Sequence, residues 1–434
     1  MEELTRLNTA SVSGAGARTR AMTETEIRAL LAGALAEADL SGQRVLVIIP
    51  DSTRTAPIAL MAAILGELLG PNVEALDYLV ALGTHPPMDD AALSRLLGRE
   101  VINGRAGDSR VFNHRWEDSE TFVTLGTITA SEVAAATGGR LEIDVPVRLN
   151  RLVGEPDGDS PYDRIIVCGP VFPHEVAGFS GGNKYFVPGV AGPEIIDVTH
   201  WVGALLTSRG IIGTTDTPVR WLIDRAASFI PTPRFLIALV MHGEDLHGLF
   251  VGGMEEAWRA AAELSAELDI VFVDRPLERV LSVMPEMYDD LWTGAKGMYK
   301  LEPAIADGGE VVIYAPHITE VSYVHGRHLD EIGYHVRDYF LAQWDRFQHI
   351  PWGVLAHSTH LRGDGTYVDG VEKPRIRVTL ATGIPRERCE RIGLGWMDPA
   401  SVDPEEWADR EDEGVLLVRR AGEQLYRLRE MKEE

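Results

Sequence analysis

Between Pro173 and Gly192 the chain reads PHEVAGFSGGNKYFVPGVAG, which sets His174, Ser180 and Lys184 among glycines directly after the apolar run DRIIVCGPV. Glycine lets a backbone come close to a ligand, and a lysine in such a loop acts as a charge or, once deprotonated, as a nucleophile. The segment GFSGG fits the G-x-S-x-G elbow of serine hydrolases, but that elbow puts its serine on a sharp strand-to-helix turn, and several residues separate Ser180 from the strand ending near Val171. A Walker loop fits less well, because no Ser or Thr follows Lys184 and the glycine spacing differs. Histidines His325, His328 and His335 in VHGRHLDEIGYH, and His357 with His360 in HSTH, invite a zinc reading; neither group has H-E-x-x-H form, and the cysteines do not assist. The plain alternative is a structural glycine loop with an exposed lysine, and His114, His242, His247 and His349 read as surface or satisfied core histidines.

Two other stretches carry polar groups at matching places. DSTR holds Asp51 and Arg54, and GTHPPM holds His85. An Asp-Ser-Thr run commonly caps a helix, so Asp51 is either a cap or part of a site. Arg54 at a strand end is better explained as a fork that grips a carboxylate or phosphate in two places. With 41 basic against 66 acidic residues and a formal charge of -25, the chain repels nucleic acid phosphates and anionic lipid headgroups at long range. Neither nucleic acid nor membrane is expected as a partner, and an anionic substrate must be drawn in by a local basic pocket. Cys168 and Cys389, the two cysteines, read as small buried thiols rather than a disulfide framework. The N-terminal stretch has no apolar core of signal-peptide length and no long apolar run follows, so a cytoplasmic protein is expected.

These residues need elements to position them. About the first 20 residues, rich in Ser, Ala, Gly, Thr and Arg, read as a loosely held arm. Order begins at TETEIRALLAGALAEA, where Thr23 and Glu26 have capping-box spacing. Strand, loop and helix then alternate: QRVLVIIP, DSTRTAP and IALMAAILGELL; ALDYLVALG, THPPMDD and AALSRLLG; DRIIVCGPV, the glycine loop and PEIIDVTHWVGALL. Such alternation implies α/β architecture with a largely parallel sheet and right-handed crossovers, in which ligands bind beyond the carboxyl ends of the strands. Asp51, Arg54, His85 and His174 all fall just past a strand end, so three loops are expected to share one edge. A second α/β domain is expected from about residue 269, with strands LDIVFVDRP, RVLSVMP, EVVIYAP, WGVLAHS and RIRVTLATG. A helix near YDDLWTGAKGMYK would carry Lys296, and a closing charged helix would pack back on the first domain, residues 1–268.

Taken together, DSTR, GTHPPM, PHEVAGFSGGNKYFVPG, the histidine of DVTHW and AKGM resemble the lactate racemase family, the nickel-pincer-nucleotide enzymes, from about residue 45 to at least residue 300. The resemblance implies two α/β domains with an active-site cleft between them. It implies that Lys184 carries the pyridinium-3-thioamide-5-thiocarboxylate mononucleotide through a thioamide, within a cofactor-binding set of Asp51, Ser180, Gly181 and Gly182. His200 would complete nickel's coordination beside two sulfurs and a ring carbon of the cofactor. His85 and His174 would be the acid/base pair, and Arg54 and Lys296 the cations on the substrate carboxylate. Hydride transfer from carbon 2 of a 2-hydroxy acid would then give racemisation or epimerisation, with separate cofactor-biosynthesis enzymes as maturation partners. Where the lactate enzyme has a Tyr-Gln pair before the second-domain lysine, this chain has Trp292 and Thr293. HSTHLRG adds His357, Thr359, His360 and Arg362. Those two changes imply a substrate larger or more polar than lactate, an aldonic acid or a hydroxy diacid. A carrier that binds the nucleotide or an anionic metabolite without turnover is the alternative from another class.

Overall fold

The computed structural model of the chain describes residues 5–8, 12–158 and 160–429. The chain forms two compact units. The first comprises Met1–Phe172, Phe179–Ile196 and Thr215–Leu268; the second comprises Pro173–Gly178, Asp197–Thr214 and Asp269–Glu434.

At the centre of the first unit, five parallel strands lie in the order Arg234–His242, Arg164–Pro170, Arg44–Ile49, Ala75–Val80 and Ser109–Asn113. Val45 to Ile49 are at most 2% exposed, as a run of β-branched and aliphatic residues must be when helices cover both sheet faces. One face packs under Glu24–Glu37 and Ile58–Leu69, which bury Leu31, Leu35, Met61 and Leu65. The first of these helices starts at the expected capping box, with the Thr23 N–H donating to Glu26 Oε2 at 2.8 Å. The expected loose arm is instead partly sheet. Val12–Gly16 pairs antiparallel with Asp245–Gly252, and Gly14 and Gly16 fit there because a Cβ would meet Phe250 or Leu264 within 2.4 Å. Residues 1–4 and 9–11 of that arm lie outside the described residues.

The second unit is built on a fully parallel sheet of five strands, ordered Gly395–Trp396, Arg377–Thr382, Ile305–Ala315, Leu277–Val283 and Val415–Val418. Two expectations fail here. WGVLAHS is not a strand but the start of the helix Trp352–Arg362, whose residues Val354 to Leu361 are all buried; a short buried apolar run carries no period to separate the two states. The closing charged helix is also not formed among the described residues. Leu425–Leu428 is a strand, parallel to Ile270–Val273, and a partner roughly 150 residues away in sequence outweighs local helix propensity. The remainder of that expected helix, residues 430–434, lies outside the described residues. Among the described residues no helix is long and apolar enough to cross a membrane.

Gly169, inside the strand that leads to the glycine loop, is a packing constraint. A Cβ there would sit 1.7 Å from the Tyr185 hydroxyl oxygen, and Tyr185 is itself buried. Gly169→Ala should therefore lower stability by about 1–3 kcal/mol, the usual cost of overpacking. Urea unfolding should show a lower midpoint at unchanged slope; an unchanged midpoint would mean that the ring is not held against this strand.

Candidate active site

In the first unit the carboxyl ends of adjacent parallel strands bring Asp51, Arg54 and His85 together. His85 Nδ1 lies 2.5 Å from Asp51 Oδ2, and the other Asp51 oxygen accepts from the Thr53 N–H and hydroxyl at 3.1 and 2.6 Å. Burial alone would raise the Asp51 pKa, but the His85 hydrogen bond and charge, with Arg54 and Thr53, outweigh it and hold the carboxyl well below its ordinary range. An ionised carboxylate can only accept, so the proton of that contact belongs to Nδ1 of His85. A neutral His85 ring therefore presents Nε2 as a bare lone pair, which is the form a general base needs. Trp116 fixes the same loop by donating its indole N–H to the His85 carbonyl at 3.1 Å. Among the described residues the Arg54 guanidinium donates to the neighbouring Thr53, and it lies 5.8 Å from the Phe172 ring centroid. No ion pair engages it among the described residues, so its charge is available to an anion.

The glycine loop follows the neighbouring strand, and Gly83 of the His85 loop donates to the Gly189 carbonyl at 2.9 Å. Ser180 is buried; its hydroxyl donates to the Pro170 carbonyl at 3.2 Å and accepts from the Phe172 N–H at 3.0 Å. A hydroxyl so engaged, with no imidazole bonded to it, is a staple and not a hydrolase nucleophile. Gly181 and Gly182 have φ of +77° and +61°, values that side-chain-bearing residues rarely adopt. Lys184 sits in the short 3-10 turn Gly182–Tyr185 that follows.

Two residues absent from the sequence reading organise this loop. Arg220, 4% exposed, donates to the Phe179 carbonyl at 2.5 Å and the Gly181 carbonyl at 3.3 Å. Trp258 donates its indole N–H to the Ser180 carbonyl at 2.7 Å, and the Arg220 guanidinium stacks 4.0 Å over the Trp258 ring. The available signal was a charged residue on the apolar face of Pro218–Ala227, flanked by the buried Val219, Leu222 and Ile223.

In the second unit His174 Nδ1 accepts from the Val176 N–H at 3.1 Å and lies 3.3 Å from Glu175 Oε2. These contacts make opposite demands, since the carboxylate asks for a proton on Nδ1 and the amide excludes one. The amide hydrogen is fixed by the backbone, so the neutral ring carries its proton on Nε2; a protonated ring would turn to Glu175. His200 lies in the helix Pro193–Leu206. Its surroundings are set by Trp201, stacked on Trp344 at 5.2 Å, and by Asp197, whose carboxylate accepts from the Gly353 N–H at 2.9 Å. His200 is an electrostatic neighbour of both His357 and His360. Burial first, then neighbouring imidazoles, pushes His357 well below the ordinary histidine value, and burial takes His360 down to about 4. Both are neutral rings at physiological pH.

Trp292, Thr293 and Lys296 share one helical stretch, broken at Ala295 into Leu291–Gly294 and Lys296–Tyr299 instead of the single helix expected. Trp292 stacks on His357 at 4.0 Å and tilts against His325 at 4.5 Å. The Thr293 hydroxyl is engaged by the Asp290 carboxylate at 2.9 Å, and Lys296 Nζ lies 4.6 Å from the Tyr288 ring centroid. His114 and His247 are core histidines as expected, the first bonded to Ala191 and Asn150 and the second to Ala17.

Residues 11–210 match the family model of the lactate racemase N-terminal domain. Over 278 residues the chain is 24% identical to the lactate racemase of Thermoanaerobacterium thermosaccharolyticum, covering 63% of this chain and 60% of that protein. Over 276 residues it is 23% identical to the lactate racemase of Lactiplantibacillus plantarum, covering 62% and 59%. Residues 11–210 thus carry a domain of the lactate racemase family. The aligned part spans about three fifths of the length of these curated relatives. The lactate racemase apoprotein of T. thermosaccharolyticum shares the α/β fold, at a TM-score of 0.70 and 18% identity over 94% of this chain and 93% of that one. A crystal structure of a Thermotoga maritima protein is also similar, at a TM-score of 0.85 and 33% identity over 95% of this chain and all of the other.

Within the matched N-terminal domain, His114 gives a pH signature. Burial lowers its pKa from the ordinary 6.5 to about 4, so between those values the unfolded chain binds a proton that the folded chain refuses. Its contribution to stability is present above pH 6.5 and lost as pH falls towards 4. Denaturant unfolding followed from pH 7 to pH 4 should show that loss, and His114→Gln should flatten it. An identical slope in the variant would place the titration elsewhere.

Proposed function

We propose that this protein is a racemase or epimerase that inverts carbon 2 of a 2-hydroxy acid with a nickel-pincer nucleotide held on Lys184. The observation that carries the reading is the His85 ring, set as a base by an ionised Asp51 beside Arg54. The residues suit the group. Gly181 and Gly182, in left-handed conformations, seat the loop closely against Val171 and Trp258 and lead the chain into Lys184. Cys168 has its thiol pushed up to about 12 by burial, so it is not a thiolate donor. Among the described residues no three His, Cys, Asp or Glu side chains gather to hold a metal by themselves; a metal on His200 would draw its other donors from the bound nucleotide, as a soft-donor, square-planar nickel site does.

When bound, the nucleotide supplies a two-electron acceptor that takes the carbon 2 hydrogen as hydride and returns it. The protein supplies the proton chemistry. Nε2 of His85 takes the hydroxyl proton of one enantiomer, which becomes the carbonyl of a planar 2-oxo acid; His174 in its protonated form gives a proton to that oxygen as hydride returns to the opposite face, and for the mirror image the two exchange roles. Imidazole suits this work because its ordinary pKa lies close to neutrality. Arg54 and Lys296 hold the carboxylate, so the planar species can present either face without leaving. The change to Trp292 and Thr293, with the hydrogen-bonding side chains of His357, Thr359, His360 and Arg362 in the same unit, supports a larger or more polar chain than a methyl group, and an aldonate or hydroxy diacid is the proposed substrate. Enzymes that build the nucleotide are the proposed maturation partners.

Co-production with those enzymes should add the nucleotide's mass and one nickel to wild type, and neither to Lys184→Ala. His85→Ala and His174→Ala should keep the added mass and lose about 10²–10⁴ in kcat, the range general acid–base groups supply. Turnover is read on a panel of chiral hydroxy acids. Inversion of lactate alone would overturn the polar substrate, and added mass without turnover of any acid would make the protein a carrier.

A further inference from the structure

The backbone of the Lys184 loop is held in part by side chains from two later helices. Three consecutive carbonyls, of Phe179, Ser180 and Gly181, are each taken by a buried side chain: Arg220, Trp258 and Arg220 again, at 2.5, 2.7 and 3.3 Å. In a planar trans peptide the N–H points opposite to the preceding carbonyl. The N–H groups of Gly181 and Gly182 therefore face away from Arg220 and Trp258. A Cβ on Gly182 would press on the Trp258 ring at 3.0–3.2 Å, so the indole lies directly beneath the loop. Asp224, one helical turn after Arg220, accepts from the Asn183 side-chain amide at 2.9 Å. The Lys184 N–H itself closes on the Gly181 carbonyl at 3.2 Å, an oxygen that Arg220 also holds. The path from guanidinium to the lysine backbone is thus one shared acceptor.

We propose that Arg220 and Trp258 are positioning residues for Lys184: a guanidinium stacked on an indole pins three loop carbonyls from behind and so presents the lysine in one orientation for covalent loading. Neither side chain touches the reacting atoms. Arg220 suits the task better than lysine would, because its planar fork reaches two carbonyls while its face remains on the ring. The charge is buried with only the longer-range help of Asp224, so the loop carbonyls are its principal partners, and each side depends on the other. This inference rests on Lys184 being the tether, as proposed above.

The test separates the two claims. Amide exchange of the apo protein reads the clamp without any cofactor. Arg220→Met and Trp258→Phe should each speed exchange of the Ser180 and Lys184 amides by about tenfold or more, since hydrogen bonds from charged donors and unpaired buried carbonyls carry at least that factor. Amides of the Arg44–Ile49 strand should exchange as in wild type. In co-produced material, intact mass should show a lower fraction of adduct for both variants and partial recovery for Arg220→Lys. Trp258→Phe keeps the ring and loses only the N–H, so it remains informative should Arg220→Met fail to fold. Wild-type exchange at Ser180 and Lys184 in Trp258→Phe, or wild-type adduct in a variant with a loosened loop, would overturn the clamp. Absence of adduct from wild type itself would overturn the tether, while the exchange data would still decide the clamp.

Discussion

A guanidinium taken out of water has to be given acceptors, and Arg220 finds them in the carbonyls of the glycine loop. Glycines at 178, 181 and 182 give that loop left-handed backbone angles and cost it rigidity. Without buried donors behind it, such a segment would sample many conformations. The loop and the helices behind it are therefore mutually dependent: the charge is tolerated because the carbonyls are there, and the carbonyls are ordered because the charge is. Tyr185, seated against the empty side of Gly169, closes the far end of the same arrangement.

The second constraint is the parallel sheet. Strands buried on both faces carry few charges inside, the paired Asp77 being an exception, so polar groups collect where the strands end. Asp51 and His85 leave neighbouring strands, and the 2.5 Å contact between them sets the proton on one ring nitrogen and frees the other. His174 is set the opposite way by a backbone amide.

The second unit shows where pattern reading stops. His357 and His360 were visible as a pair in HSTH, but their segment resembled a strand, which would have sent them to opposite faces or apart. In the helix Trp352–Arg362 they lie three residues apart on one side, with Trp292 stacked on the first and His200 a neighbour of both. The closing segment misled for the same reason: EQLYRLRE has helical composition, and only the presence of Ile270–Val273 makes Leu425–Leu428 a strand. Arg220 passed unnoticed because its partners are main-chain carbonyls roughly forty residues earlier, which carry no residue identity to read.

Local chemistry was legible in the chain itself: the alternation of buried strands and helices, the capping box at Thr23, the glycine loop with its lysine, and the strand-end placement of Asp51, Arg54 and His85. These depend on residue type and short spacing, which a sequence states directly. The tertiary structure alone decided the His85–Asp51 bond, the role of Ser180 as a staple, the clamp formed by Arg220 and Trp258, and the imidazole surroundings of Trp292 and His200. Each of those joins groups far apart in the chain through burial and hydrogen-bond geometry, and burial is a property of the packed molecule that no local pattern contains.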